Sequence, residues 1–334
     1  MTLSLHLRRF PALLLLALLL SPRVSPAPLP APSLTLPPLA LQARDLIYNG
    51  DPAAAIPIAR SLEQSQPAQP LGFLLEGEAE WWQRYCSATE IKYGMVEAWT
   101  HSKDPGDEAY LALADHAISL AEAQLAKSDT PEMHVYAGFG YALKTRVYGL
   151  RGENHNAARA GVAARSEMLR ALQLDPQNPD ALAGLGIYNY YVETLSPIVK
   201  FLRIFMGIPG GNKELGIEQM QQGMARGAIL DVDVRFILAR ALRQYDQKYG
   251  QALAIALPLL SRYPRNPEFL LLAGNLNAEL GRSSEAREYF QAVLHLQPPS
   301  SSAASCPNCS ASSPPHSCLA HSRDLANSFL AGLH

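Results

Sequence analysis

Asp233–Pro298 reads DVRFILARALRQYDQKYGQALAIALPLLSRYPRNPEFLLLAGNLNAELGRSSEAREYFQAVLHLQP. Shifted by 34 residues against itself, the stretch places Phe236 on Leu270, Ala239 on Ala273, Ala252 on Ala286 and Pro264 on Pro298. A period of this length marks stacked helix–turn–helix units. One such unit cannot bury its apolar face alone, so the units must stack. The spacing predicts an all-α fold, a right-handed α-α superhelix, with its clearest repeats at 233–266 and 267–298.

Working outward, composition agrees with this class. Of 334 residues, 48% are hydrophobic and 17% charged, which describes a folded chain rather than a disordered one. The formal net charge of −2 lacks the basic excess of a nucleic-acid footprint. Ala and Leu dominate and β-branched runs are scarce, which favours helices.

The N-terminus predicts a signal peptide over residues 1–27. Arg8 and Arg9 precede the apolar run Phe10–Leu20, and Pro22 stops it. The run is short for a membrane span, which wants about 20 apolar residues. Ser25-Pro26-Ala27 is the nearest small-residue cleavage site, although Pro28 follows it. An uncleaved anchor is the alternative. No cysteine follows the apolar run, which argues against lipid attachment. Either way the expected location is the periplasm or the cell envelope. Residues 28–38 are Pro-rich and read as an extended linker.

The helical solenoid is expected over 39–298. Thr130-Pro131-Glu132, Asn178-Pro179-Asp180 and Asn266-Pro267-Glu268 each combine a capping side chain, a proline at the first helical position and an acid in the first turn. Glu132–Leu174 is one hairpin longer than the 34-residue period. Gly186 stands where the period puts Gly274, a place for close helix approach. Beyond Gly186 the period breaks, and Ser196–Gly211 predicts an inserted helix.

After Pro298 the composition turns to Ser, Pro and Cys, which predicts a disordered, low-complexity tail over 299–334. Because the helical pattern stops without a polar end helix, a shifted reading frame is a second reading of that tail. Cys306, Cys309 and Cys318, with His316 and His321, have the residue types of a zinc site, but their spacing is short and irregular, so no metal is expected. Cys86 reads as a buried apolar residue, and the cysteines form no obvious disulfide framework.

In the final unit, Leu270, Ala273, Gly274, Asn277, Gly281, Ala286, Phe290, Val293 and Pro298 fall on signature positions of the tetratricopeptide repeat, with Asn277 where an aromatic is usual. The chain resembles this family over roughly Leu39–Pro298. The blocks FLLEGEAEWWQRY, LALADHAISLAEAQLAK and GLGIYNYYVETLSPIVKFLRIFMGIPGGNKELGIEQM are similar to exported bacterial tetratricopeptide proteins of undefined function. They are distantly similar to eukaryotic tetratricopeptide proteins of the mitochondrial outer membrane and of inclusion-body clearance. The resemblance implies a generic binding scaffold rather than a particular function.

Enzyme motifs are missing from the sequence: no G-x-S-x-G, no H-E-x-x-H and no phosphate-binding loop, since Gly207–Lys213 has the wrong spacing. His116 and His134 are isolated, and no cofactor is expected. The function expected is non-catalytic binding of a protein or peptide in a groove lined by the first helix of each hairpin. Tyr188, Tyr190 and Tyr191 are candidates for that groove, with Arg235, Arg240 and Arg243 for charge and Asn277 for backbone recognition. Ile198, Phe201, Leu202, Phe205 and Met206 give the inserted helix a broad apolar face for a partner or peripheral membrane contact. The alternative function is capture of a small ligand in a cavity closed by the inserted helix, 197–208.

Overall fold

Proline opens five of the helices, because the first helical position needs no donor. The computed structural model describes residues 34–98, 102–197, 200, 204, 207–298 and 317–333. The first hairpin pairs α1 (Pro38–Tyr48) with α2 (Pro52–Ser65). The second pairs α3 (Leu71–Ser87) with α4 (Asp107–Leu125), and the third α5 (Pro131–Leu150) with α6 (Asn154–Leu174). In the fourth, α7 (Pro179–Thr194) packs on α8 (Lys213–Arg226). The regular repeats follow as α9 (Asp231–Gln244) with α10 (Tyr249–Arg262), and α11 (Pro267–Glu279) with α12 (Ser283–His295). A last helix, α13 (Ser317–Gly332), packs on α12, α11 and α3. The described chain is thus an all-α solenoid of helical hairpins.

The three capped starts fall where the sequence puts them, and two of the caps form. Asn178 accepts the N–H of Ala181 at 3.0 Å, and Asn266 accepts that of Glu268 at 2.9 Å. Thr130 makes no side-chain cap. Asp180 does more than favour its own helix dipole. Buried, it accepts the N–H groups of Ala228, Ile229 and Leu230 at 2.9–3.0 Å, which fixes the turn that starts α9. The long hairpin is long because α5 and α6 have 20 and 21 residues, against 14 each in α9 and α10.

Among the described residues the inner face of the solenoid is filled by packed side chains. Its first helices converge. Trp82 of α3 meets Tyr48 of α1, Phe236 of α9 and Phe269 of α11, with ring centroids 5.1–5.8 Å apart. Arg44 of α1 pairs with Asp231 at 3.4 Å, and Asn266 donates to the Tyr48 carbonyl at 2.9 Å. The first hairpin therefore closes against the last two, and one apolar core runs through all six hairpins.

Four expectations need correction. Between α3 and α4 the chain forms an antiparallel hairpin, β1 (Thr89–Lys92) with β2 (Met95–Ala98), Ile91 opposite Val96. Its two-residue turn has Tyr93 at φ 52 and Gly94 at φ 77, the positive φ at both central residues that lets a tight turn match the right-handed twist of its strands. The linker ends in packed chain, since Leu34 and Leu36 are buried in the core. The tail is helical over Ser317–Gly332, where Leu325 and Ala326 are buried against Phe290 and Leu271. Cys86 is no lone apolar residue: it forms a disulfide with Cys318. The signal segment, Cys306, Cys309 and His316 lie outside the described residues.

Two stability outcomes follow. A β-carbon on Gly186 would sit 2.7 Å from the Gly216 carbonyl oxygen and 2.8 Å from the Met220 nitrogen, both backbone atoms of α8. Gly186→Ala should therefore cost about 1–3 kcal/mol by overpacking, read from the urea midpoint. Cys318→Ala should cost about 2–4 kcal/mol, given the long loop that the bond closes. Reductant should weaken the wild type similarly and leave Cys318→Ala unchanged.

Candidate functional site on the inner helices

The residues expected to line a groove are mostly spoken for. Tyr190 is fully buried, and its hydroxyl donates to the Ala241 carbonyl and to Asp246, both at 3.1 Å. Tyr191 is half-buried against Tyr190 and Tyr245. Tyr188 donates to the Pro209 carbonyl at 2.9 Å, with Arg165 over its ring. At about 100° per residue Tyr188 and Tyr191, three apart, lie on neighbouring sides of the helix while Tyr190 is turned away from both, so the three do not form one patch. Arg235 donates to the Met224 carbonyl at 3.2 Å. Asn277 is buried and donates to the Ala273 carbonyl of its own helix at 2.9 Å. Ile198, Phe201, Leu202, Phe205 and Met206 lie outside the described residues.

Arg240 and Arg243 come together, and the residue that joins them is Glu97 of β2. Its carboxylate sits between the two guanidinium groups. Arg243 also donates to the Val96 carbonyl at 3.0 Å, while the Val96 N–H donates to Asn275 Oδ1 at 3.1 Å. Arg243 and Asn275 are each 1% exposed. Burial would raise the Glu97 carboxyl, but Arg240 and Arg243 outweigh it and hold it below the usual carboxylate range. Side chains of α9 and α11 thus read both sides of one residue's main chain and the acid that follows it.

A second cluster joins α3, α5 and α9. Arg146 of α5 reaches Glu78 of α3 at 2.6 Å and Asp233 of α9 at 2.9 Å, and Trp82 Nε1 donates to Glu78 at 2.8 Å. Two carboxyls face one cation in a dry site, and burial pushes Glu78 up to about 8 against the pull of Arg146. His134 lies between Asp129 and Glu167, 2.6 Å from each. Among the described residues, no group of three or more His, Cys, Asp or Glu could hold a metal ion. A cavity of about 600 Å³ opens beside α6, lined by Tyr141, His155, Arg159, Val162, Ser166 and Ile208 among others.

Residues 238–301, running from α9 into the segment after α12, match the model of the tetratricopeptide repeat. That part of the chain, its last two hairpins, carries tetratricopeptide repeats. The match says nothing of the mitochondrial likeness. No curated protein matches the chain. Among solved structures it is similar to the C-terminal part of a TPR repeat-containing protein from Cytophaga hutchinsonii, at 17% identity. That alignment covers 77% of this chain and 78% of the other, with a TM-score of 0.34, which is too loose to carry an argument.

Sequence reading missed Glu97, Val96 and Asn275. The signal was present in T-E-I-K-Y-G-M-V-E-A at 89–98, where β-branched residues alternate around a Tyr-Gly turn.

The raised carboxyls predict how stability varies with pH. Glu78 and Glu63 are pushed to about 8, and Glu268 to about 7, each chiefly by burial, from an ordinary 4.5. Between these values the folded chain holds protons that the unfolded chain has lost, so stability falls as pH rises from about 4.5 to 8. The urea midpoint should be higher at pH 5.5 than at 8.5, and Glu78→Gln should flatten the slope. Glu97 acts oppositely, its contribution being lost only as pH falls through its depressed value.

Proposed function

We propose that the chain is an exported, non-catalytic scaffold of the cell envelope that binds a protein partner through an extended segment. Tetratricopeptide repeats imply a protein-interaction scaffold. The observation that carries it is the grip of Arg243 and Asn275 on the Val96 main chain. An inner surface that holds extended backbone by side chains is built for peptide recognition. The Cys86–Cys318 bond supports export, since such bonds persist in oxidising compartments. Among the described residues no helix is long and apolar enough to cross a membrane.

The cavity beside α6 favours a second reading, capture of a small polar ligand near the end of the inserted segment. Its lining includes the polar side chains of His155, Arg159 and Ser166 around a volume of suitable size.

A photoreactive amino acid at Tyr245, which is 44% exposed beside the inner helices, tests the first reading in intact cells. A discrete protein adduct should form at Tyr245 in the envelope fraction and be absent with the probe at Leu257, on α10. Equal labelling at both positions, or adducts only in the cytosolic fraction, would remove the reading.

A further inference from the structure

The cradle that holds β2 offers more than β2 uses. Asn275 Nδ2, Arg240 Nε and Arg243 Nε are buried and make no hydrogen bond among the described residues. A buried donor left unmet is costly, so a segment supplying one more acceptor would fit this place better than β2 does. Nor does β2 depend on its own sequence for the main-chain part of the grip, because any residue but proline at Val96 presents the same N–H and C=O. What the cradle demands is the acid. Arg243 is 1% exposed and Glu97 is its only ion-pair partner among the described residues. An uncompensated buried guanidinium is strongly unfavourable, so the site exchanges carboxylates and does not stand empty.

Beyond these contacts the resident strand is held by its Val96 side chain, buried with Leu270, Leu271 and Leu325, and by its ladder to β1. Its ladder to β1 runs over four residues a side and sets Glu90 directly opposite Glu97, a like-charge pair. Tyr93 at the turn is 89% exposed, and Ile91 and Glu90 on β1 face solvent. The outer strand adds little burial. What favours the resident strand is its tether, which keeps Glu97 at high effective concentration.

We propose that Arg240, Arg243 and Asn275 form a docking site for a partner's extended segment bearing a glutamate or aspartate directly after an apolar residue, and that β2 is the chain's own occupant of that site. The inference rests on the reading of the chain as a protein-interaction scaffold and gives that scaffold its ligand chemistry. The apolar residue enters the pocket of Val96, among Leu270, Leu271 and Leu325. The acid takes the place of Glu97 between the guanidinium groups, and Asn275 reads the backbone as it does now.

The probe is a fluorescein-labelled peptide with the sequence of residues 93–98, Tyr-Gly-Met-Val-Glu-Ala, against its Val-Gln counterpart. Anisotropy is followed with the full disulfide-bonded chain as wild type and as Glu97→Gln. The Val-Glu peptide should bind Glu97→Gln at least tenfold more tightly than wild type, and the Val-Gln peptide should bind neither. Glu97→Gln strips the arginines of their anion and can compromise folding, so hydrogen exchange on the wild type provides a second readout. Excess Val-Glu peptide should speed exchange at the Met95–Ala98 amides, and Val-Gln peptide should leave them unchanged. Equal binding of the two peptides to a folded Glu97→Gln chain, or unchanged exchange with excess Val-Glu peptide, would overturn the proposal. A partner adduct at Tyr245 that persists despite that result would leave the scaffold reading standing and show that its ligand docks elsewhere.

Discussion

A guanidinium withdrawn from water must be met by acids, and Arg146 meets a carboxyl group from α3 and one from α9. That demand ties the second, third and fifth hairpins to a single point. The Trp82 ring, held by its hydrogen bond to Glu78, then becomes the surface on which Tyr48, Phe236 and Phe269 close. Aromatic burial supplies the driving force here, while the ion cluster specifies which helices meet. Stacking of neighbours alone would leave the first helices lining an open concavity. The central cluster draws them together across the array, and the inner face turns from a groove into a core.

Periodicity made part of this legible and concealed the rest. The 34-residue shift, the proline starts and the Gly186 approach all report contacts between chain neighbours, where a pattern in sequence corresponds to a pattern in space. Arg243 and Glu97 are separated by 146 residues, and no spacing rule connects them. Arg240 and Arg243 were legible as inward-facing charges, yet the acid they meet comes from a β-hairpin in a chain that otherwise signals helix. The three tyrosines were legible as one cluster by type, while helical geometry sends Tyr190 into the core and turns Tyr188 towards Pro209. Cys86 and Cys318 gave no framework in sequence because their 232-residue separation is settled only when α13 folds back onto α3.

The inner helices show how a repeat scaffold can carry its specificity in an insertion. The solenoid supplies buried cations and a backbone reader. The ten-residue segment 89–98 supplies the anion. Glu268 extends the same logic to the other side of α11, where a buried carboxyl accepts the Ser322 hydroxyl from α13. Both the hairpin and the last helix therefore satisfy polar groups that the repeats leave inside.

The Cys86–Cys318 bond has a consequence for the life of the molecule. It turns the chain from the end of α3 to α13 into one covalent circle that contains every helix from α4 to α12. A protease that cuts any single loop within that circle opens it without releasing a fragment. The severed ends stay joined through sulfur and keep their packing partners in reach. Dismantling takes two cuts, or one cut and a reductant. The bond also sets an order of events in synthesis: the circle can close only after the chain has emerged as far as Cys318, so the earlier hairpins must hold together by packing alone until then.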